Sequence, residues 1–382
     1  MTIRRKSKLV SIVICVCLLS ILLSLQTQRG LGRAYADSLG SAPLSVYVAP
    51  GATSVYALDP VTGATRWSYQ TKSIQGNTPT VHYGSLYIGG EGSAFYALLT
   101  TGGSLKWKTP LKGITIAQAT ASNGVFVFTA TNYAKQNEQD YLYALSLKDG
   151  HIIWYYHLPG TPDLTASPLD VGSTLYAEAN GFMFAFNATT GAVIWKQAGY
   201  ITQPSIYNHT LYALSDKDES TICALNPSDG SQLWCQSIPG ADFYYSPLIA
   251  NGILYVGSLN SGIFYAISTT NGAVLWQFQD SNSGFYNRPA VVNGIVYFQD
   301  EASVYALNAS TGAEIWQYVA PQGFIDGTPA VSTSAGMVYI NGSTLSSIYN
   351  YTAALRIGDG TLAWSVNWPD TQVLSIGGPV VA

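Results

Sequence analysis

Charged side chains make up only 10% of the 382 residues, so few positions are available for chemistry. The four histidines, His82, His151, His157 and His209, fall on strand-like runs or beside turns. None stands in H-E-x-x-H or His-x-His spacing, so no zinc centre of that kind is encoded. No G-x-S-x-G elbow sits between a strand and a helix, and no glycine-rich phosphate loop opens a helix. Cys223 and Cys235 flank one turn. Two thiols alone do not make a metal site. In an oxidising compartment they pair across the strands if the register sets them opposite, whereas an offset of one residue points them to different faces. No catalytic residue and no metal-ligand set is assigned.

What remains are three short stretches richer in aromatic and charged groups than their surroundings: Asp242-Phe243-Tyr244-Tyr245, Phe285-Tyr286-Asn287-Arg288, and Phe324 with Asp326. Arg288 is one of only two arginines beyond residue 66, and Asp242, Asp326 and Asp370 are available to pair with it or with a cation. Aromatic rings beside an arginine make a surface suited to a protein, polymer or sugar partner. The same residues would equally serve to cover the ends of structural units, with Arg288 neutralising a neighbouring carboxylate.

These stretches are positioned by a repeat. Ala, six residues on Gly, and four further on Trp recur eight times, ending at Trp67, Trp107, Trp154, Trp195, Trp234, Trp276, Trp316 and Trp364. Internal spacing is constant while the tryptophans lie 39 to 48 residues apart, as expected of repeated units joined by tolerant loops. Residues 289–318 show four β-branched or aromatic runs separated by turn residues, with no competing helical period. The skeleton Gly falls in the third turn, where a left-handed backbone is inexpensive, and Asp59, Asn187, Asn226 and Asn308 open that turn in several copies.

Four antiparallel strands per repeat make a propeller blade, and eight blades make a ring. The predicted fold is therefore an all-β, eight-bladed β-propeller over residues 44–382. Leu44-Ser-Val-Tyr-Val48 matches a second strand and Gly378-Pro-Val-Val-Ala382 a first strand, so the C-terminus is expected to complete the N-terminal blade and remove free edges. The eight tryptophans are expected between neighbouring blades, each indole burying about 150–250 Å² and needing a partner for its N–H. The opposing Ala is expected to leave room for it. The three aromatic stretches lie at successive junctions between one blade's fourth strand and the next blade's first, on one face of the ring. Residues 131–140 and 343–351 are longer than the repeat requires and are expected as loops on that face.

The segment Ala57-Leu-Asp-Pro-Val-Thr-Gly63-Ala-Thr-Arg-Trp67, with near-copies at 185–195 and 306–316, resembles the tryptophan-docking motif of the PQQ-like quinoprotein β-propeller family. The resemblance covers residues 44–382 and implies the fold. That family includes calcium- and quinone-dependent alcohol dehydrogenases and also non-catalytic scaffolds such as a bacterial outer-membrane assembly lipoprotein, which this chain resembles in size. The dehydrogenases require adjacent cysteines over the quinone, an acidic and amide calcium site, a catalytic Asp and pocket-building insertions. Here no cysteines beyond residue 36 are adjacent and the blades are near minimal length.

Residues 1–36 read as a leader: Arg4-Arg-Lys-Ser-Lys8, an apolar run from Leu9 to Leu25, and Ala34-Tyr-Ala36 before Asp37. The run holds Cys15 and Cys17 and lies near the lower length of a membrane span, so it is either a cleaved signal peptide or an uncleaved anchor. Residues 37–43 form a short linker. Both alternatives place the ring outside the cytoplasm. Without the leader, 11 basic residues stand against 21 acidic ones, and the field of such a ring disfavours nucleic acid and anionic lipid. The 27 tyrosines of the full chain suit either a contact surface or strand positions.

The expected function is a monomeric, non-catalytic binding or assembly scaffold without a cofactor. Its protein or polymer partner would meet Phe243, Tyr244, Phe285, Tyr286 and Phe324, and a membrane would be met only through an uncleaved leader. Alternatives are a quinoprotein oxidoreductase with pyrroloquinoline quinone and calcium in the channel near Arg288, and a carbohydrate-binding propeller.

Overall fold

In the computed structural model every repeat pairs its skeleton Ala with its skeleton Trp directly across the third and fourth strands, from Ala57↔Trp67 to Ala354↔Trp364. In each blade the register then slips by one residue, between that Ala and the residue after it. The fixed spacing in the sequence is thus a fixed hairpin with one bulge. The structure describes residues 43–382 apart from 52, 72–77, 91–93, 112–113, 116–118, 123, 133–138, 159–167, 280–283, 286, 322, 345–348 and 369–376. The leader 1–36, Tyr286 and Asp370 lie outside the described residues.

Eight antiparallel sheets follow one another, and we number the blades I to VIII along the chain. Blade I is Val380–Val381, Val46–Val48, Ser54–Leu58 and Thr65–Gln70, so the C-terminal strand completes the first blade, with Tyr47 opposite Val380. Blade VIII is Phe324–Ser332, Met337–Ser343, Asn350–Arg356 and Leu362–Trp368. The molecule is an eight-bladed β-propeller. Blade III differs from its neighbours in its first strand, which comes in two pieces, Ile114–Thr115 and Thr120–Ser122, both paired to Val125–Asn132.

Each indole leans on the next blade. The Trp67 Nε1–H donates to the Thr100 carbonyl (2.9 Å), and equivalent bonds run from Trp107, Trp154, Trp195, Trp276 and Trp316 to the following blade. Trp364 closes the circle by donating to Pro60 O of blade I at 3.1 Å, and Tyr339 Oη donates to the same oxygen. Room for the ring also comes from the skeleton Gly of the next blade, which the expectation above did not name. A methyl group on any of the eight glycines would stand 2.4–2.9 Å from the preceding blade's indole, and all eight have φ between 69° and 76°. Gly is therefore required twice over, for its turn and for its neighbour's Trp.

Tyr47, Tyr87, Tyr176, Tyr212, Tyr255, Tyr297 and Tyr339 sit 5.8–6.0 Å from these indoles, centroid to centroid, and all seven are buried. A quarter of the tyrosines thus build the layer between blades rather than a surface. The two long segments are paired at their ends, and residues 133–138 and 345–348 lie outside the described residues. Blade III extends its central strands to Val125–Asn132 and Gln139–Ser146, and blade VIII pairs Ser343 with Asn350. The described residues of these segments continue the hairpin ladders, because backbone groups that can continue a ladder do so. Among the described residues no helix is long and apolar enough to cross a membrane.

The turn that receives Trp364 carries its own electrostatics. Asp59 accepts from the Val61 and Thr62 backbone N–H groups and from Arg66 Nη2 at 2.8 Å, while Arg66 Nη1 reaches Leu44 O and Ser45 Oγ. The Thr62 N–H foremost, then Arg66, hold the Asp59 carboxyl down at about 2, against an ordinary value of 3.8. The ionised form is the one stabilised by folding, so its contribution is complete above 3.8 and is lost as pH falls through 2. Chemical denaturation between pH 4 and 2 should show a steeper loss of stability for the parent than for Asp59→Asn. Gly63→Ala should lower stability by at least about 1–2 kcal/mol from the backbone alone, with the Trp364 clash in addition. Gly102→Ala, where a methyl group meets nothing within 4 Å, should leave thermal unfolding unchanged.

Candidate functional site

A proline begins or interrupts most innermost strands, and counting back from it orders the three aromatic junctions. Four residues before Pro204, Pro247, Pro289 and Pro329 stand Tyr200, Phe243, Phe285 and Ile325. All four are buried, Phe243 at 0% and Phe285 at 1% exposure, in the core between blades. Backbone bonds seat them: Phe243 N–H donates to Glu219 O, Phe285 N–H to Ser258 O and Ile325 N–H to Glu301 O. Phe285 also packs edge-on against Phe264 and Phe298, 5.7 and 5.2 Å away. Phe243 and Phe285 therefore plug the seams and are withdrawn from the partner surface expected of them. The physical reason is that an apolar ring at this position gains more by filling the seam than by facing water.

Phe324 aligns with Asp242 rather than with those plugs, and it is 42% exposed, as is Tyr244. Tyr245 packs edge-on against Tyr244, and Tyr245, Asn287 and Asp326 are half-buried. Asp242 is engaged locally: it accepts from Ser258 Oγ and from the Asn260 backbone and side-chain N–H groups. Asp326 accepts from the Gly327 N–H at 2.7 Å. Neither forms an ion pair with Arg288.

One residue before the prolines lies a second ring: Thr78, Gln203, Ser246, Arg288, Thr328 and Gly378. Arg288 is the one charged member among these. It shares a cavity of about 220 Å³ with Thr78, Leu248, Pro289, Thr328, Pro329, Gly378, Pro379 and Val380, drawn from blades I, II, VI, VII and VIII. Innermost strands of five blades converge there, so the cavity is the central channel. Arg288 Nη1 donates to Gln203 Oε1 (3.3 Å), and Nη2 to Ser205 Oγ (3.2 Å) and Pro247 O (3.3 Å). All three acceptors are neutral, and among the described residues the buried Nε has no hydrogen-bond partner. Desolvation weakens the charged form and lowers the Arg288 pKa, though a guanidinium stays protonated at ordinary pH.

Cys223 and Cys235 stand opposite each other, one step outside the Ala224↔Trp234 pair, and form a disulfide. The bulge falls on the turn side of that pair and leaves their register untouched. His151 pairs with Asp149 at 2.7 Å in an exposed turn, and His157 packs edge-on against Tyr141. Among the described residues no three His, Cys, Asp or Glu side chains gather to hold a metal. Among the described residues no acidic set of the kind a calcium-dependent quinone site requires is gathered.

Repeat, blade and ring define a PQQ-like β-propeller. The family model described as outer membrane protein assembly factor BamB matches residues 51–208, 179–287 and 260–382, and the chain belongs to that family. The outer membrane protein assembly factor BamB of Yersinia pestis is 25% identical over 226 residues, 56% of this chain and 56% of that protein. A tetrathionate hydrolase of Acidithiobacillus ferrooxidans is 29% identical over 237 residues, 53% of this chain and 45% of that protein. The chain thus spans about half the length of these curated relatives. Among solved structures, BamB from Moraxella catarrhalis superposes with a TM-score of 0.62 at 18% identity, covering 86% of this chain and 93% of that one. Quinohemoprotein alcohol dehydrogenase from Comamonas testosteroni gives 0.63 at 11% identity, covering 85% and 72%. At these identities the structural likenesses show the fold alone.

The plugs and the exposed aromatics should separate in stability measurements. Phe243→Ala and Phe285→Ala should each lower unfolding free energy by about 3–5 kcal/mol. Tyr244→Ala and Phe324→Ala should stay within about 0.5 kcal/mol of the parent in the same urea titrations.

Proposed function

We propose that this protein is a non-catalytic scaffold outside the cytoplasm, binding a protein or extended polymer partner through the loop face of its propeller. The supporting observation is membership in the assembly-factor family across residues 51–382, with blades near minimal length that leave the loop face uncovered by large insertions. The Cys223–Cys235 disulfide is in keeping with an oxidising compartment. Tyr244 and Phe324, backed by Tyr245, Asn287 and Asp326, are the contact residues in this proposal. An exposed aromatic supplies large contact area with few rotamers to freeze. Monomeric state, absence of a cofactor and attachment to a membrane only through the N-terminal segment belong to the same proposal.

The dehydrogenase alternative is favoured by one observation, the Arg288-lined channel cavity, and disfavoured by the lack of a suitable acidic cluster among the described residues. A carbohydrate partner would use the same exposed aromatics. Photo-crosslinking decides between these. A benzophenone side chain at Tyr244 or Phe324 should capture a discrete envelope partner in cells, and one at Leu275 on an outer strand should not. The partner should be lost from Tyr244→Ala/Phe324→Ala while thermal unfolding stays unchanged. No crosslink above the Leu275 control would end the scaffold proposal, and calcium-dependent uptake of pyrroloquinoline quinone would replace it with the oxidoreductase.

A further inference from the structure

The channel mouth presents a cation whose charge is met only by dipoles. Arg288 has no carboxylate within ion-pair distance among the described residues; its three hydrogen bonds lie at the long end of the usual range, and its Nε has no partner. The walls around it are largely Pro289, Pro329, Pro379, Gly378, Leu248 and Val380, none of which carries a charge. A guanidinium half-enclosed by such walls is poorly solvated, and an uncompensated charge there is unfavourable unless an anion joins it. Its neighbours supply further donors: Thr78 and Thr328, each carrying a hydroxyl, line the same cavity.

We propose that the central channel at Arg288 binds one small free oxyanion, a carboxylate or an inorganic oxyanion of a few heavy atoms, held by the guanidinium and the Thr78 and Thr328 hydroxyls. Size selects the class. A cavity of about 220 Å³ lies below the roughly 300–1,000 Å³ of clefts that hold drug-sized ligands. Charge selects it as well: an ionised oxygen makes a hydrogen bond to guanidinium about twice as strong as a neutral acceptor does. The site also has a structural consequence. Arg288, on blade VII, reaches Gln203 and Ser205 of blade V and Pro247 at the start of blade VI's first strand, so an anion stabilising the cation would reinforce three blades at once. This site is separate from the loop-face aromatics, and it stands or falls independently of the scaffold function.

The test is calorimetric titration of the full chain, in mild detergent at pH 7 and constant ionic strength, with sodium sulfate and with sodium acetate against a chloride background. Saturable binding of at least one of the two near one site per chain is expected. Unfolding temperature should rise in proportion to log concentration above the dissociation constant. Arg288→Gln should abolish the saturable component and leave only the general salting effect of sulfate. Arg288→Lys should bind at least tenfold more weakly. Thr78→Val/Thr328→Val, which touches none of the Arg288 contacts to blades V and VI, should weaken binding severalfold without lowering the unfolding temperature in chloride. This double variant keeps the test open if Arg288→Gln does not fold. The proposal is overturned if the parent binds neither anion, which would make Arg288 a staple between blades or a receptor for a partner's acidic side chain. Equal binding by the parent and the threonine double variant would overturn it too.

Discussion

Everything in this ring depends on an indole lying against a glycine of the next blade. The contact has three parts: the ring covers a residue without a side chain, its N–H meets a carbonyl of the receiving turn, and that turn is held left-handed by the same glycine. A blade cannot bury its Trp by itself, so each blade is completed only by its successor. The eighth is completed by the first, through Trp364 and Tyr339 on Pro60 O. Closure is thus one more copy of the contact that builds the rest, reinforced by Val380–Val381 pairing with Val46–Val48.

The same periodicity organises the channel. Because all innermost strands but that of blade III carry a proline near their start, residues counted back from that proline fall into concentric sets. One set fills the seams with Tyr200, Phe243, Phe285 and Ile325. From another set Thr78, Arg288, Thr328 and Gly378 line the channel cavity, and Arg288 is the charged member of these four. A scaffold that repeats its structure eight times can carry individuality only where copies depart from one another. Arg288 and the exposed Tyr244 and Phe324 are such departures.

Much of the architecture was legible beforehand because it is encoded locally. The Ala–Trp spacing is a hairpin register, and the turn-opening residues do accept from their own turns: Asp59, Asn187, Asn226 and Asn308 each take backbone N–H groups. The same spacing sets Cys223 and Cys235 opposite each other, because the register continues unbroken on the side of the Ala224↔Trp234 pair away from the turn. The site was less legible. Phe243, Phe285 and Phe324 look alike in the chain, yet only the first two occupy the seam position; the equivalent in the third junction is Ile325. Counting from the following proline would have separated them, whereas counting aromatic residues did not.

The sequence by itself determined the blade, the number of blades and the way the ring closes, because these follow from short-range spacing, turn chemistry and a repeated Trp that must find a partner. Tertiary structure alone decided which side of a junction each ring faces, that the skeleton Gly of the next blade receives the indole, and that Arg288 reaches neutral acceptors on blades V and VI. Those outcomes depend on contacts between residues some 30 to 300 positions apart, and local preference carries no information about what stands across a seam between two blades.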